Sequence, residues 1–84
     1  MPVISRFYGL VIKMYFSQKE HHPPHIHVKY GEYVCSIAIA DGHIVDGKLP
    51  PKALLLAREW LELHRAEVQK IWDTQIFQSI PGLE

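Results

Sequence analysis

His21-His22-Pro23-Pro24-His25-Ile26-His27-Val28-Lys29-Tyr30-Gly31 is the stretch whose reading decides the fold. Four of the six histidines fall here within seven residues, and a double proline gives way at once to strand-like alternation. Successive side chains of a strand point to opposite faces, so His25, His27 and Lys29 share one face and Ile26, Val28 and Tyr30 the other. The second set predicts a core face. The first predicts a polar face with two imidazoles rooted about 7 Å apart and an ammonium next in line, able to hold an anion, a metal or a proton-transfer pair.

Downstream, Tyr30-Gly31-Glu32-Tyr33 puts glycine first in a two-residue connection, the pattern of a type II′ hairpin. That turn predicts Tyr30 opposite Tyr33, Val28 opposite Cys35 and Ile26 opposite Ile37 on the core side. Lys29 then faces Val34, His27 faces Ser36 and His25 faces Ala38, leaving open space above the histidines. A second turn at Asp41-Gly42 is expected to pair Ile39 with Ile44 and Ala40 with His43, which brings His43 to the polar face and Asp46 to the core side. Upstream, Leu10 to Phe16 alternates as a strand with Lys13 and Tyr15 on the side opposite Leu10, Ile12 and Met14. Val3-Ile4 forms at most a brief edge strand, and Ser17 to Pro24 reads as a loop.

Gly47 and Pro50-Pro51 end the sheet, and proline suits the opening turn of a helix. From Lys52 to Phe77, Leu56, Ala57, Trp60, Leu61, His64, Val68, Ile71, Trp72 and Ile76 follow helical spacing. Unbroken, that helix would run about 40 Å, too long for a sheet of this size, so a bend near His64-Arg65 or a second, projecting helix is expected. Ser79 to Glu84 reads as a tail. His64, Trp60 and Trp72 read as packed core or interface side chains.

The 84 residues predict a single domain, 1–84, that buries about 60 to 65% of its chain surface, so function should lie on a surface, a shallow groove or an interface. Nine basic side chains balance nine acidic ones, so any nucleic-acid binding must come from a local patch. The lone Cys35 is expected to be a buried thiol, and a reducing cytoplasm fits. No stretch has the roughly 18 apolar residues of a membrane span, and no leader pattern opens the chain. There is no GxGxxG, no P-loop and no nucleophile with a recognisable base, so no cofactor is expected.

Pro2-Val3-Ile4-Ser5-Arg6-Phe7 with Gly9, Ile12 with Met14-Tyr15, Pro23-Pro24-His25-Ile26-His27, Tyr30-Gly31, Gly47-Lys48-Leu49-Pro50, Glu59-Trp60 and Trp72 together resemble the small bacterial proteins grouped as domain of unknown function 4160. Pro-Pro-His-x-His is the specific part. The resemblance implies a component of a two-gene module of the toxin and antitoxin kind, with an antitoxin-like neighbour or a second copy as protein partner and RNA as target. Lys19-Glu20-His21-His22 departs from that pattern, which has Asp-His before the prolines. In layout alone, the chain is also similar to HicA-type messenger-RNA-cleaving toxins, an analogy that assigns no function.

Three chemistries compete for the polar face. Zinc would need His25 and His27 plus ligands from His21, His22, His43 or a carboxylate; Glu32 and Asp46 are poorly placed, and Lys29 opposes a cation, so no metal is assigned. RNA contact would use Lys13, Tyr15, Lys29 and His43 as binding residues, with His25 and His27 as acid and base in metal-independent cleavage, the enzyme then being an endoribonuclease. In the third reading the chain is a non-catalytic interaction module whose histidines are structural, a ring nitrogen bonding a loop carbonyl to fix the proline turn. The expected architecture is α+β: an antiparallel sheet of about four strands with a C-terminal helix or bent helix pair on one face.

Overall fold

A computed structural model describes residues 3–15 and 23–83. Five strands, β1 (Val3–Phe7), β2 (Leu10–Lys13), β3 (His25–Tyr30), β4 (Tyr33–Ala38) and β5 (Ile44–Gly47), form one antiparallel sheet in chain order, followed by helix α1 (Pro51–Thr74). The class is α+β as expected, with one strand more than the four counted from the pattern. His21, His22 and Phe16, the last residue of the expected first strand, lie outside the described residues.

The hairpin β3–β4 has the register its turn dictates. Tyr30 pairs with Tyr33, Lys29 with Val34, Val28 with Cys35, His27 with Ser36, Ile26 with Ile37 and His25 with Ala38. Gly31 has φ of 59° while Glu32 stays at negative φ, the type II′ combination in which only the first central residue is left-handed. On the other side of β3, Val11 pairs with Lys29 and Lys13 with His27, so β2 and β3 present matching faces.

The second hairpin departs from expectation. Ile39 does not pair with Ile44: its N–H donates to the Pro24 carbonyl, while Ala38 N–H reaches the His43 carbonyl and Gly42 N–H the Ala38 carbonyl. Five residues, 39–43, therefore turn the chain, and Ile37 pairs with Ile44. A register shift then sets Asp46 opposite Ser36, on the polar face and exposed instead of on the core side. The edge strand β1 carries a bulge between its Val3–Lys13 and Ser5–Ile12 pairs. The extra residue lets Ile4 and Ser5 both point inward and turns Val3 and Arg6 to the polar face.

One apolar cluster lies between the sheet and α1, built from Leu10, Ile12, Ile26, Val28, Ile37 and Ile39 below and Ala57, Trp60, Leu61, Val68, Ile71 and Trp72 above. Cys35 is buried in it, which pushes its thiol pKa up. Pro50 and Pro51 open the helix and Gln75 closes it in the left-handed conformation, its N–H on the Ile71 carbonyl. Ending there strands Ile76, expected on the core stripe, at 70% exposure. The expected bend is at His64, with φ of −119° and ψ of 18°. Neither glycine nor proline causes it. It coincides with Arg65 donating to the Ile39 carbonyl, about two turns after Arg58 donates to the Gly42 carbonyl, so two tethers hold α1 to the 39–43 turn. A straight helix of 24 residues would span about 36 Å, more than the 30 Å long axis of the molecule.

The C-terminal residues are docked, not loose. Ile80 is buried and its N–H donates to the Ile4 carbonyl, and Trp60 Nε1 donates to the Pro81 carbonyl. The tail thus runs along β1, whereas β5 at the opposite edge is exposed at all four residues. Among the described residues no helix is long and apolar enough to cross a membrane.

Candidate functional site

The polar face of the sheet is built by register alone. Because Lys13 pairs with His27 and Val11 with Lys29, and the β1 bulge turns Arg6 the same way, three cations from three strands project from one surface. A groove of about 570 Å³ runs between them, lined by Arg6, Gly9, Val11, Lys13, Lys29 and Gly31. It continues past Lys13 and Lys29 into a depression of about 210 Å³ bounded by Tyr15, His27 and Val34. Among the described residues no carboxylate lines either part. Arg6, Lys13 and Lys29 have no acidic partner among the described residues. Asp46, on the same face, lies two strands beyond His27, its Oδ1 taken by the Gly47 N–H.

At the far end four rings form a row. Tyr15 meets His27 edge-on with centroids 4.2 Å apart, His27 meets His25 at 5.0 Å, and His25 meets Trp72 at 5.4 Å. His25 Nδ1–H donates to the Pro23 carbonyl at 2.9 Å, which fixes its tautomer and leaves Nε2 as the second nitrogen. This is the bond expected of a histidine that locks the proline turn. His27 shares a 3.3 Å hydrogen bond with Ser36 Oγ, and burial, then the nearby His25 and Lys13 charges, push its pKa down to about 4. At neutral pH His27 is therefore an uncharged imidazole beside two ammoniums.

Of the residues singled out from sequence, Lys13, Tyr15, His27 and Lys29 come together around the groove. His25 is adjacent but turned toward Pro23 and covered on one side by Trp72. His43 stands apart: its backbone flanks Ala38, itself opposite His25, which puts it about 10 Å from His25 across two strand spacings. Its ring nitrogen Nδ1 is 2.6 Å from Asp41 Oδ1, and the His43 N–H on that same carboxylate holds the Asp41 pKa down. Among the described residues no three His, Cys, Asp or Glu side chains gather as a metal site.

Sequence reasoning missed Arg6 and Trp72. Arg6 needs the bulge to face this way. Trp72 needs the helix to bend before it reaches the histidines. His64 is packed as expected, against the Trp60 ring and bonded to Glu67.

No curated protein and no solved structure matches the chain. A family model does, over residues 9–73, which takes in β2 to β5, the Pro-Pro-His-x-His segment and α1 almost to its end, but not β1 with Arg6. The chain belongs to the family described as domain of unknown function (DUF4160).

Proposed function

We propose that this chain is the RNA-directed component of a bacterial two-protein, toxin-antitoxin-like module, working in the cytoplasm beside an antitoxin-like neighbour. The observation that carries the reading is the groove: Arg6, Lys13 and Lys29 face it and, among the described residues, no carboxylate does. In a chain of zero net charge, such a local excess favours a phosphodiester backbone, and Tyr15 offers a ring for one base.

Cleavage would follow from the histidine pair. His27, held neutral, takes the proton of a 2′-hydroxyl; the 2′-oxygen attacks phosphorus; His25 in its protonated form gives the leaving 5′-oxygen a proton. The products are a 2′,3′-cyclic phosphate and a 5′-hydroxyl, with Lys13 and Lys29 stabilising charge on the phosphorane.

The Pro23 bond and the Trp72 cover on His25 favour a second reading, in which His25 is structural and the face binds RNA without cutting it. Labelled single-stranded RNA separates the cases. Lys13→Glu with Lys29→Glu should weaken binding at least tenfold, and unchanged affinity would end the RNA reading. His27→Ala should abolish cleavage in the presence of chelator; binding without cleavage by the unaltered protein would leave a non-catalytic binder.

A further inference from the structure

At the end of the sheet where the β1–β2 and β3–β4 turns lie side by side, a cleft of about 500 Å³ opens between the strands and the first turns of α1. Its walls include Tyr8, Tyr30, Leu56 and Leu83, and its polar groups are Lys52 and Glu59. The volume is that of a small-molecule site, about 300 to 1,000 Å³. Tyr8 is 56% exposed and holds φ of 47°, a left-handed conformation rare for a non-glycine residue and concentrated at functional sites. Tyr30 is also exposed, and its ring edge packs against Gly9 so closely that a Cβ there would stand 3.3 Å away. Tyr8 and Tyr30 make no ring contact with one another, and Lys52 and Glu59 have no charged partner among the described residues.

The cleft adjoins the cationic groove only across the β1–β2 and β3–β4 turns. Gly9 and Gly31 line the groove, while their chain neighbours Tyr8 and Tyr30 line the cleft. A strand held by Arg6, Lys13 and Lys29 that rounds these turns would reach the mouth of an aromatic pocket.

We infer that this cleft is a nucleobase pocket, and that it prefers guanine. The tyrosine rings supply faces for stacking, worth about 1 to 3 kcal/mol per base in single-strand complexes. Among the described residues Glu59 is the carboxylate of the pocket. A carboxylate is acceptor-only, and of the four RNA bases guanine alone presents two adjacent donors, N1–H and N2–H, that both its oxygens can accept. Adenine, cytosine and uracil each set a ring acceptor or carbonyl next to their donor, which a carboxylate repels. Lys52 stands by for the attached phosphate. This inference rests on the RNA reading for its biological meaning, but the pocket can be tested without it.

Guanosine, adenosine, cytidine and uridine 5′-monophosphates, titrated into the intact ¹⁵N-labelled protein, probe the pocket directly. Guanosine monophosphate should move the amide signals of Tyr8, Tyr30, Ala53 and Glu59 and bind at least fivefold tighter than the other three. Glu59→Gln should remove that preference, and Tyr30→Ala should weaken guanosine monophosphate at least tenfold with the rest of the spectrum intact. Lys13→Glu with Lys29→Glu should leave nucleotide binding unchanged while reducing oligoribonucleotide binding. Equal binding of all four nucleotides, or shifts confined to Lys13 and Lys29, would overturn the pocket and leave the groove. Pocket signals that respond only to the neighbouring protein would overturn it in favour of a protein interface. Binding of guanosine monophosphate with no binding of RNA would keep the pocket and sink the RNA reading.

Discussion

His27 shows how much one position in a sheet can settle. The unfolded chain takes up an imidazole proton near pH 6.5, the folded chain at about 4. Between those values the unfolded state holds more protons, so the stabilising contribution is complete above about 6.5 and declines as pH falls toward 4. For a ring still half exposed to solvent, the amount is on the order of 1 kcal/mol. Urea unfolding at pH 7 and pH 4.5 should show the unaltered protein losing more stability than His27→Gln over that interval, and a proton NMR titration should place the His27 midpoint well below that of a free imidazole. Gly47 is equally constrained: φ is 80°, and a Cβ would strike the Val34 carbonyl oxygen. Gly47→Ala should cost about 2 to 4 kcal/mol in denaturant unfolding. The face of each strand residue in β2, β3 and most of β4 was legible because a period of two leaves no freedom once the apolar set is known. Arg6 was not, because a bulge is a non-local accommodation that no alternation announces.

Among the elements, the hairpin β3–β4 was legible to the residue, since a two-residue II′ turn fixes register by itself. The β4–β5 connection was not: Asp41-Gly42 looks like a tight turn, but Ile39 is drawn away by the Pro24 carbonyl, a partner distant in sequence. The helix bend was legible only as a length mismatch. The tail was legible as a tail but its docking was not, because Pro81-Gly82 signals a chain end equally well whether loose or docked. Its docking is specific: a Cβ at Gly82 would lie 2.7 Å from Phe7 Cβ, and Ile80 and the Trp60–Pro81 bond anchor either side. Removing residues 80–84 should therefore cost about 2 to 4 kcal/mol, from one buried isoleucine and one indole hydrogen bond, as read by chemical unfolding.

For the whole molecule, the balance of nine positive and nine negative side chains sets how RNA binding must respond to salt. The groove trio Arg6, Lys13 and Lys29 neutralises phosphates, so the slope of log affinity against log salt should be about −2 for a single strand, or about −3 if Lys52 at the base pocket takes one more. Binding isotherms between 50 and 300 mM salt check this; a slope near −6 would mean that a wider surface is engaged.

Among the described residues the two margins of the sheet are unequal, β1 being flanked by the tail and β5 exposed along its length. A bare margin can recruit a matching strand, but a chain with one such margin has nothing left to offer once it is used. Strand addition at Ile44–Gly47 would therefore end at a closed pair instead of propagating into a filament.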